Sequence, residues 1–217
     1  GLGLDRGSKE WAFRTLRQGG NRVLLPNILE FHTTLNPGAL FGIGAGHTEI
    51  FLLASILALI LVLWMFAQSP PKRWLTQVAL GAILAGALGN MYDRVFVQLV
   101  LHGLATPGGT VARYYVQQEN GDARWIELRE YPPAEAVLPT KLPRIAAESS
   151  AHPIGYVRDF IKIPTRWVGG RELWPWVFNV ADMLLVGGVA ILSLRMLRER
   201  HSGTLAHAAL DPGVGKT

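Results

Sequence analysis

The chain of 217 residues is 49% hydrophobic and only 17% charged, against about 25% charged in an ordinary globular domain. Its mean hydropathy is +0.23, and its formal net charge of +5 reads as basic residues flanking membrane spans rather than as a nucleic-acid surface. The absence of cysteine excludes disulfides, thiolate nucleophiles and zinc–thiolate sites together.

The chain opens on GLGLDRGSKE, with no apolar run of the signal-peptide kind. Asp5 and Lys9 stand four apart and predict an ion pair on one helical face, and Trp11, Phe13 and Leu16 suit a membrane interface. Residues 1–17 are therefore expected to be the end of a truncated first transmembrane helix. Residues 18–48 are assigned to an extracytoplasmic β and loop region, in which ILEFHTTLN alternates as a strand does and PGALFGIGAG reads as a loop. The next segment is the strongest span. Residues 50–67, IFLLASILALILVLWMFA, run 18 positions without a charge and with only Ser55 polar. At about 1.5 Å per residue such a helix approaches the roughly 30 Å hydrocarbon core. Transmembrane helix 2 is accordingly placed at 49–67, followed by a cytoplasmic loop at 68–73 that holds Lys72 and Arg73.

Transmembrane helix 3 is expected over 74–94, where Gly81, Ala85 and Gly89 recur every four residues and allow close helix packing. The long connection from Val95 to Glu172 holds nine Lys/Arg and eight Asp/Glu, a near-neutral balance that reads as external. Within it, 95–156 is taken as an extracytoplasmic insertion. Its VARYYVQQ and ARWIELREY runs flank Asn120-Gly121-Asp122, a hairpin signal. The Pro-rich stretch after them reads as an irregular loop. Residues 157–173 are taken as an extracytoplasmic active-site segment, 174–197 as transmembrane helix 4, and 198–217 as a cytoplasmic tail. The fold class expected is thus an all-α polytopic membrane protein, a four-helix transmembrane bundle with its first helix truncated and with small extracytoplasmic β elements.

An ionisable residue inside a span costs several kcal/mol, roughly 3 at the helix centre, and asks for an explanation. Asp182 lies about 12 Å along its helix from Trp174. Alone it reads equally as a packing acid or as a catalytic or proton-carrying carboxylate. Asp159, in GYVRDFIKI, stands just before the same span on its external side, so the two acids can meet at the membrane boundary. Neighbouring carboxylates do not both ionise cheaply, so one keeps its proton while the other acts as a base. Such a pair can activate water against a peptide carbonyl and protonate the leaving amine.

These residues carry a resemblance. NPGALFG at 36–42, GALGNMYDR at 86–94, VRDFI at 157–161 and FNVADM at 178–183 resemble, in this order, motifs of the bacterial lipoprotein signal peptidases, or signal peptidase II. DRGSK at 5–9 is similar to that family's motif at the outer end of its first helix. The resemblance implies a four-helix inner-membrane aspartic peptidase, the target of globomycin. Such an enzyme cuts prolipoproteins just before a cysteine that bears diacylglycerol. It further implies that Asp159 and Asp182 are catalytic. Asp5, Lys9, Asn36, Asn90, Asp93, Arg94 and Asn179 correspond to the family's polar positions, which hold the dyad, the substrate backbone or the inhibitor. For Asp5, Lys9 and Asp93 a structural role is favoured. For Asn36, Asn90, Arg94 and Asn179, substrate binding and interhelical bonding stand level.

The expected partners are lipid-modified prolipoprotein substrates and membrane lipids, with no nucleic acid. The protein is expected to be a monomer in the bacterial cytoplasmic (inner) membrane with its site at the extracytoplasmic face, and no metal or organic cofactor is implied. The competing readings are a small proton-coupled transporter and an inactive relative that binds lipoprotein precursors. More than sixty residues separate Arg94 from Asp159, where the family's motifs are close in sequence. This insertion is expected to loop out, and it either caps the site, binds a partner or does neither.

Overall fold

The computed structural model describes residues 1–17, 19–37, 48–106, 109–118, 125–132, 140–143, 153–166, 170, 172 and 174–210. Outside them fall nearly all of the loop read at 37–46, the Asn120-Gly121-Asp122 turn, most of the Pro-rich stretch and the last seven residues.

Helix α1 (Leu2–Leu16) is followed by strands β1 (Asn21–Leu25) and β2 (Leu29–Asn36), then by α2 (Thr48–Gln68) and α3 (Trp74–Phe96). Strands β3 (Gln98–Thr106), β4 (Gly109–Gln118), β5 (Trp125–Glu130), β6 (Thr140–Pro143) and β7 (Ile154–Gly155) come next. Strands β8 (Val157–Lys162) and β9 (Val177–Phe178) lead into the last helix, α4 (Val180–Leu210).

The all-α expectation is corrected here. The described residues form four helices and two antiparallel sheets, a four-stranded sheet in the order β1-β2-β8-β9 and a five-stranded one in the order β6-β5-β4-β3-β7. The physical reason is non-local pairing. Strand β2 finds its partner β8 more than 120 residues later, with Thr34 opposite Asp159 and Asn36 opposite Val157, and hydropathy along the chain carries no record of such a ladder. The segment 95–156 likewise holds most of a sheet rather than one hairpin. Strand β4 pairs with β5 from Tyr115↔Glu130 to Gln118↔Glu127, and β6 adds to β5 where an irregular loop is expected.

The count of spans is corrected too. Among the described residues two helices are long and apolar enough to cross a membrane, Trp74–Phe96 and Val180–Glu199, and Leu53–Gln68 is a shorter apolar stretch. Helix α1 is too polar to join them, with Asp5, Arg6, Lys9, Glu10 and Arg14 in its fifteen residues. The last helix also starts later than expected, because 174–179 is spent on β9 and the turn into the helix.

The apolar helices expose residues that water would punish and lipid accepts. Leu53, Leu57, Ile60, Leu61 and Trp64 on α2, and Val186, Val189, Leu194 and Leu197 on α4, are all exposed. Helices α3 and α4 approach closely at glycines, of which Gly89 belongs to the predicted triplet, where a Cβ would lie 3.2 Å from that of Ala181. A Cβ on Gly81 would meet nothing, whereas one on Gly86 would lie 2.4 Å from the Ala181 carbonyl oxygen, and one on Gly188 would lie 2.7 Å from that of Ala79. Ala12 and Phe13 of α1 join Leu35, Val97, Leu99, Tyr156 and Phe160 in one apolar cluster. Burying a side chain such as Phe13 or Phe160 stabilises the fold by about 1.5–3 kcal/mol. This cluster ties α1, both sheets and the end of α3 into a floor beneath the polar site.

Candidate active site

The polar residues nominated by sequence converge on one end of the helical layer. Each reaches it by local rules. On β2 and β8, side chains two apart share a face, so the Asn36↔Val157 register sets Asn36 diagonal to Asp159 on one face of the sheet. On α4, Asn179 and Asp182 form a reciprocal cap. The Asn179 side-chain oxygen accepts from the Asp182 amide at 3.0 Å, and the Asp182 carboxylate accepts from the Asn179 amide at 3.1 Å. Two free amides at the helix start are thereby satisfied, as in a capping box, and the acid is held in the first turn of the helix. Helix α3 supplies Asn90, Asp93 and Arg94 from its last two turns.

Asp159 is 2% exposed. One of its oxygens accepts from Asn179 Nδ2 at 2.6 Å and the other from Asn36 Nδ2 at 3.1 Å. Asp182 accepts from Asn90 Nδ2 at 2.7 Å, and Asn179 Nδ2 also donates to Asn90 Oδ1 at 3.1 Å. The two carboxylates are thus joined through a pair of asparagine amides. Burial, with a smaller contribution from the negative charge of Asp182, pushes the Asp159 carboxyl up to about 7. Arg94 lies within electrostatic reach of Asp159, Asp182 and Asp93.

Beneath this pair runs a buried ionic layer. Lys9, with no exposed surface, pairs with Asp5 at 2.9 Å and Asp93 at 3.3 Å, and donates to Asn90 Oδ1 at 3.0 Å. Asp5 also accepts from the Ala181 amide at 2.9 Å, which ties α1 to the first turn of α4. Its other oxygen sits where a Cβ on Gly89 would come within 2.4 Å, so α1 and α3 meet closely only because residue 89 has no side chain. Asp93 takes two hydrogen bonds from the Arg158 guanidinium, at 2.7 and 3.2 Å, and a third from the Arg158 amide at 3.0 Å. Such a network is stable because each charge has partners, and it becomes costly when one is removed.

All nine nominated residues therefore lie at this end of the molecule, with Asp159 and Asp182 at the polar junction and Asp5, Lys9 and Asp93 below it. Sequence reasoning missed Arg158 and Glu10. Arg158 is 5% exposed and its guanidinium also contacts Glu10 at 2.9 Å. The available signal was the alternation of a strand, which turns the residue next to Asp159 to the opposite face. Among the described residues no three His, Cys, Asp or Glu side chains are grouped as metal ligands.

The chain matches the family model described as signal peptidase (SPase) II over residues 1–198. It is 36% identical over 101 residues to the lipoprotein signal peptidase of Clostridium novyi (strain NT), a match that covers 46% of this chain and 68% of that protein. With the lipoprotein signal peptidase of Desulfitobacterium hafniense (strain DSM 10664 / DCB-2) the identity is 27% over 181 residues, covering 83% and 77%. In fold it is similar to a bacterial membrane enzyme solved by the in meso method at 2.3 Å, with a TM-score of 0.59 and 23% identity over 92% of this chain and 84% of that one. The motif-bearing residues, their meeting at one site and the match along nearly the whole chain agree, and the chain belongs to the signal peptidase II family of lipoprotein signal peptidases.

Proposed function

We propose that Asp159 and Asp182 perform the hydrolysis by which this membrane peptidase removes signal peptides from lipoprotein precursors. The observation that carries the assignment is the pair itself. Two carboxylates from different elements are bridged by the amides of Asn90 and Asn179, and burial holds Asp159 near half protonation at neutral pH. One carboxylate takes a proton from water as its oxygen attacks the scissile carbonyl. The other, still protonated, hands its proton to the departing amine as the carbon–nitrogen bond breaks. The proton belongs to the pair rather than to either acid.

In this reading Asn36 and Asn179 fix the orientation of Asp159, and Asn90 fixes that of Asp182. Arg94 offers a forked donor to the backbone of the bound peptide or to the developing oxyanion. Asp5, Lys9 and Asp93 hold α1, α3 and α4 in register below. The peptide must be extended to be cut, and its freed amides need polar partners where the helices end. The substrate is a diacylglyceryl-modified prolipoprotein that enters sideways from the bilayer, because its lipid chains and signal helix already lie there. The protein acts as a monomer in the bacterial inner membrane, with both sheets and the site on the extracytoplasmic side.

The test is cleavage of a diacylglyceryl-modified prolipoprotein by purified protein, read as a gel shift beside the same precursor without lipid. Cleavage of the lipidated form alone is expected. Equal cutting of both forms contradicts the substrate assignment, and cutting by either Asp159→Asn or Asp182→Asn contradicts the catalytic one.

A further inference from the structure

The strand that carries Asp159 meets the helix that carries Asn90 and Arg94 at the pair Asp93–Arg158. Residues Val157–Phe160 of β8 are all buried, so the strand is covered on both faces, and alternation turns Arg158 away from the face of Asp159. Strand β2 occupies one edge of β8 opposite Val157, Arg158 and Asp159. On the other edge the β9 ladder reaches Ile161 and Lys162. Beyond that ladder the Arg158 amide turns to a side chain and donates to Asp93 Oδ2 at 3.0 Å.

The Arg158 guanidinium grips the same carboxylate through its other oxygen. Its Nη2 and Nε donate to Asp93 Oδ1 at 2.7 and 3.2 Å, while Nη1 donates to Glu10 on α1 at 2.9 Å. Arg158 is 5% exposed and Asp93 has no exposed surface, so water does not compete for these bonds. The two residues stand 65 apart in the chain, and the segment between them carries the inserted sheet. A connection of that length does not set the distance between α3 and β8, so contacts must. Beside the Asp93 grip, the Tyr156 amide donates to the Val97 carbonyl at 3.0 Å, and Gly155 lies so close to the Arg94 carbonyl that a Cβ there would strike it.

The grip bears on both acids. Asp93 pairs with Lys9 at 3.3 Å, Lys9 donates to Asn90 at 3.0 Å, and Asn90 donates to Asp182 at 2.7 Å. On the other side Arg158 is the chain neighbour of Asp159. We infer that Arg158 is a positioning residue for the peptidase: its fork on Asp93 fixes the strand of Asp159 against the helix of Asn90 and so sets the two aspartates at working distance. Glu10 holds only the outer arm of the fork. This rests on the assignment of Asp159 and Asp182 as the reacting pair.

The experiment compares Arg158→Lys, Arg158→Gln and Glu10→Gln in the full chain, assayed on lipidated prolipoprotein at matched folded fraction. Lysine keeps the cation and loses the planar fork, so the buried charge balance stands and the geometry alone changes. The expected result is a roughly tenfold fall in kcat with KM near that of wild type, the size set by one hydrogen bond to a charged group. Arg158→Gln is expected to fall further. Glu10→Gln is expected to change little, because that carboxylate is half exposed. The pH–rate profile separates positioning from stability. Asp159 is buried against Asp182, Asn36 and Asn179, with Lys9 and Arg94 as nearby cations. Loosening β8 admits water and returns its carboxyl from about 7 toward the ordinary value, so the alkaline limb of kcat/KM in Arg158→Lys is expected to move to lower pH. Wild-type kcat in Arg158→Lys overturns the inference, as does a rate that only follows the folded fraction with the limb unmoved. An equal fall in Glu10→Gln contradicts the route through Asp93. Activity retained by Asp159→Asn or Asp182→Asn in parallel instead strikes the catalytic assignment. Amide hydrogen exchange of β8, expected to be faster in Arg158→Lys without substrate, then still judges Arg158.

Discussion

Asp159 shows how one residue acquires its chemistry from its surroundings. Its pKa is raised on folding from 3.8 to about 7, chiefly by burial. The unfolded chain therefore releases this proton first, and stability contributed by the protonated form is full below the unfolded value and lost as pH rises toward about 7. The thermal midpoint in detergent is expected to fall between pH 5 and pH 8, and Asp159→Asn should flatten that slope. An equal slope in both proteins contradicts the assignment. In the proposed mechanism the same proton serves catalysis, so kcat/KM should decline on the alkaline side with an apparent pKa near 7, measured as a pH–rate profile. Lys9 stands at the opposite extreme. It is wholly buried against Asp5 and Asp93, and Lys9→Met should cost about 3–5 kcal/mol by leaving the buried Asp5 without its cation, while Asp93 keeps Arg158. Denaturation in mixed micelles measures it, and a cost below 1 kcal/mol contradicts the network.

Among the elements, the helix ends and strand edges decide where the chemistry sits. The Asn179–Asp182 cap makes the start of α4 and the placement of an acid the same event. Asn179→Ala should lose about 1 kcal/mol of helix stability together with the bridge between the aspartates, so activity should fall far more than stability. Helix contact is equally local. Gly86→Ala would drive a methyl toward the Ala181 carbonyl, and Gly188→Ala one toward that of Ala79. Overpacking of this kind costs about 1–3 kcal/mol, whereas Gly81→Ala, facing open space, should be silent. A thermal-shift comparison of the three separates them. The predicted stripe of Gly81, Ala85 and Gly89 had the right helix and the right chemistry. Gly89 of that stripe meets Asp5 and Ala181 closely while Gly81 meets nothing, because period alone does not say how far along a face the neighbour reaches.

At the level of the whole molecule, sequence was informative where physics is local. Charge-free runs mark lipid-facing helices, and acids at the ends of such runs demand an explanation, which is how Asp159 and Asp182 were found together. Asn36, Asn90 and Asn179 were legible as candidates, but the bridging of the two acids by Asn90 and Asn179 depends on three elements meeting and is written in no spacing. The extent of the sheets was illegible for the same reason. Strand β2 cannot announce a partner on β8, and β6 reads as loop because nothing in its own Pro-rich residues records its pairing with β5. Arg158 and Glu10 were missed because each matters only through what it touches.

The central claim is that Asp159 and Asp182 are one catalytic unit. Single-turnover cleavage of a diacylglyceryl-modified prolipoprotein tests it most directly, with wild type, Asp159→Asn, Asp182→Asn and the double variant compared at matched folded fraction. The account predicts that either single substitution abolishes cleavage and that the double variant loses nothing more. Measurable turnover by a folded single variant, or a further loss in the double, contradicts it.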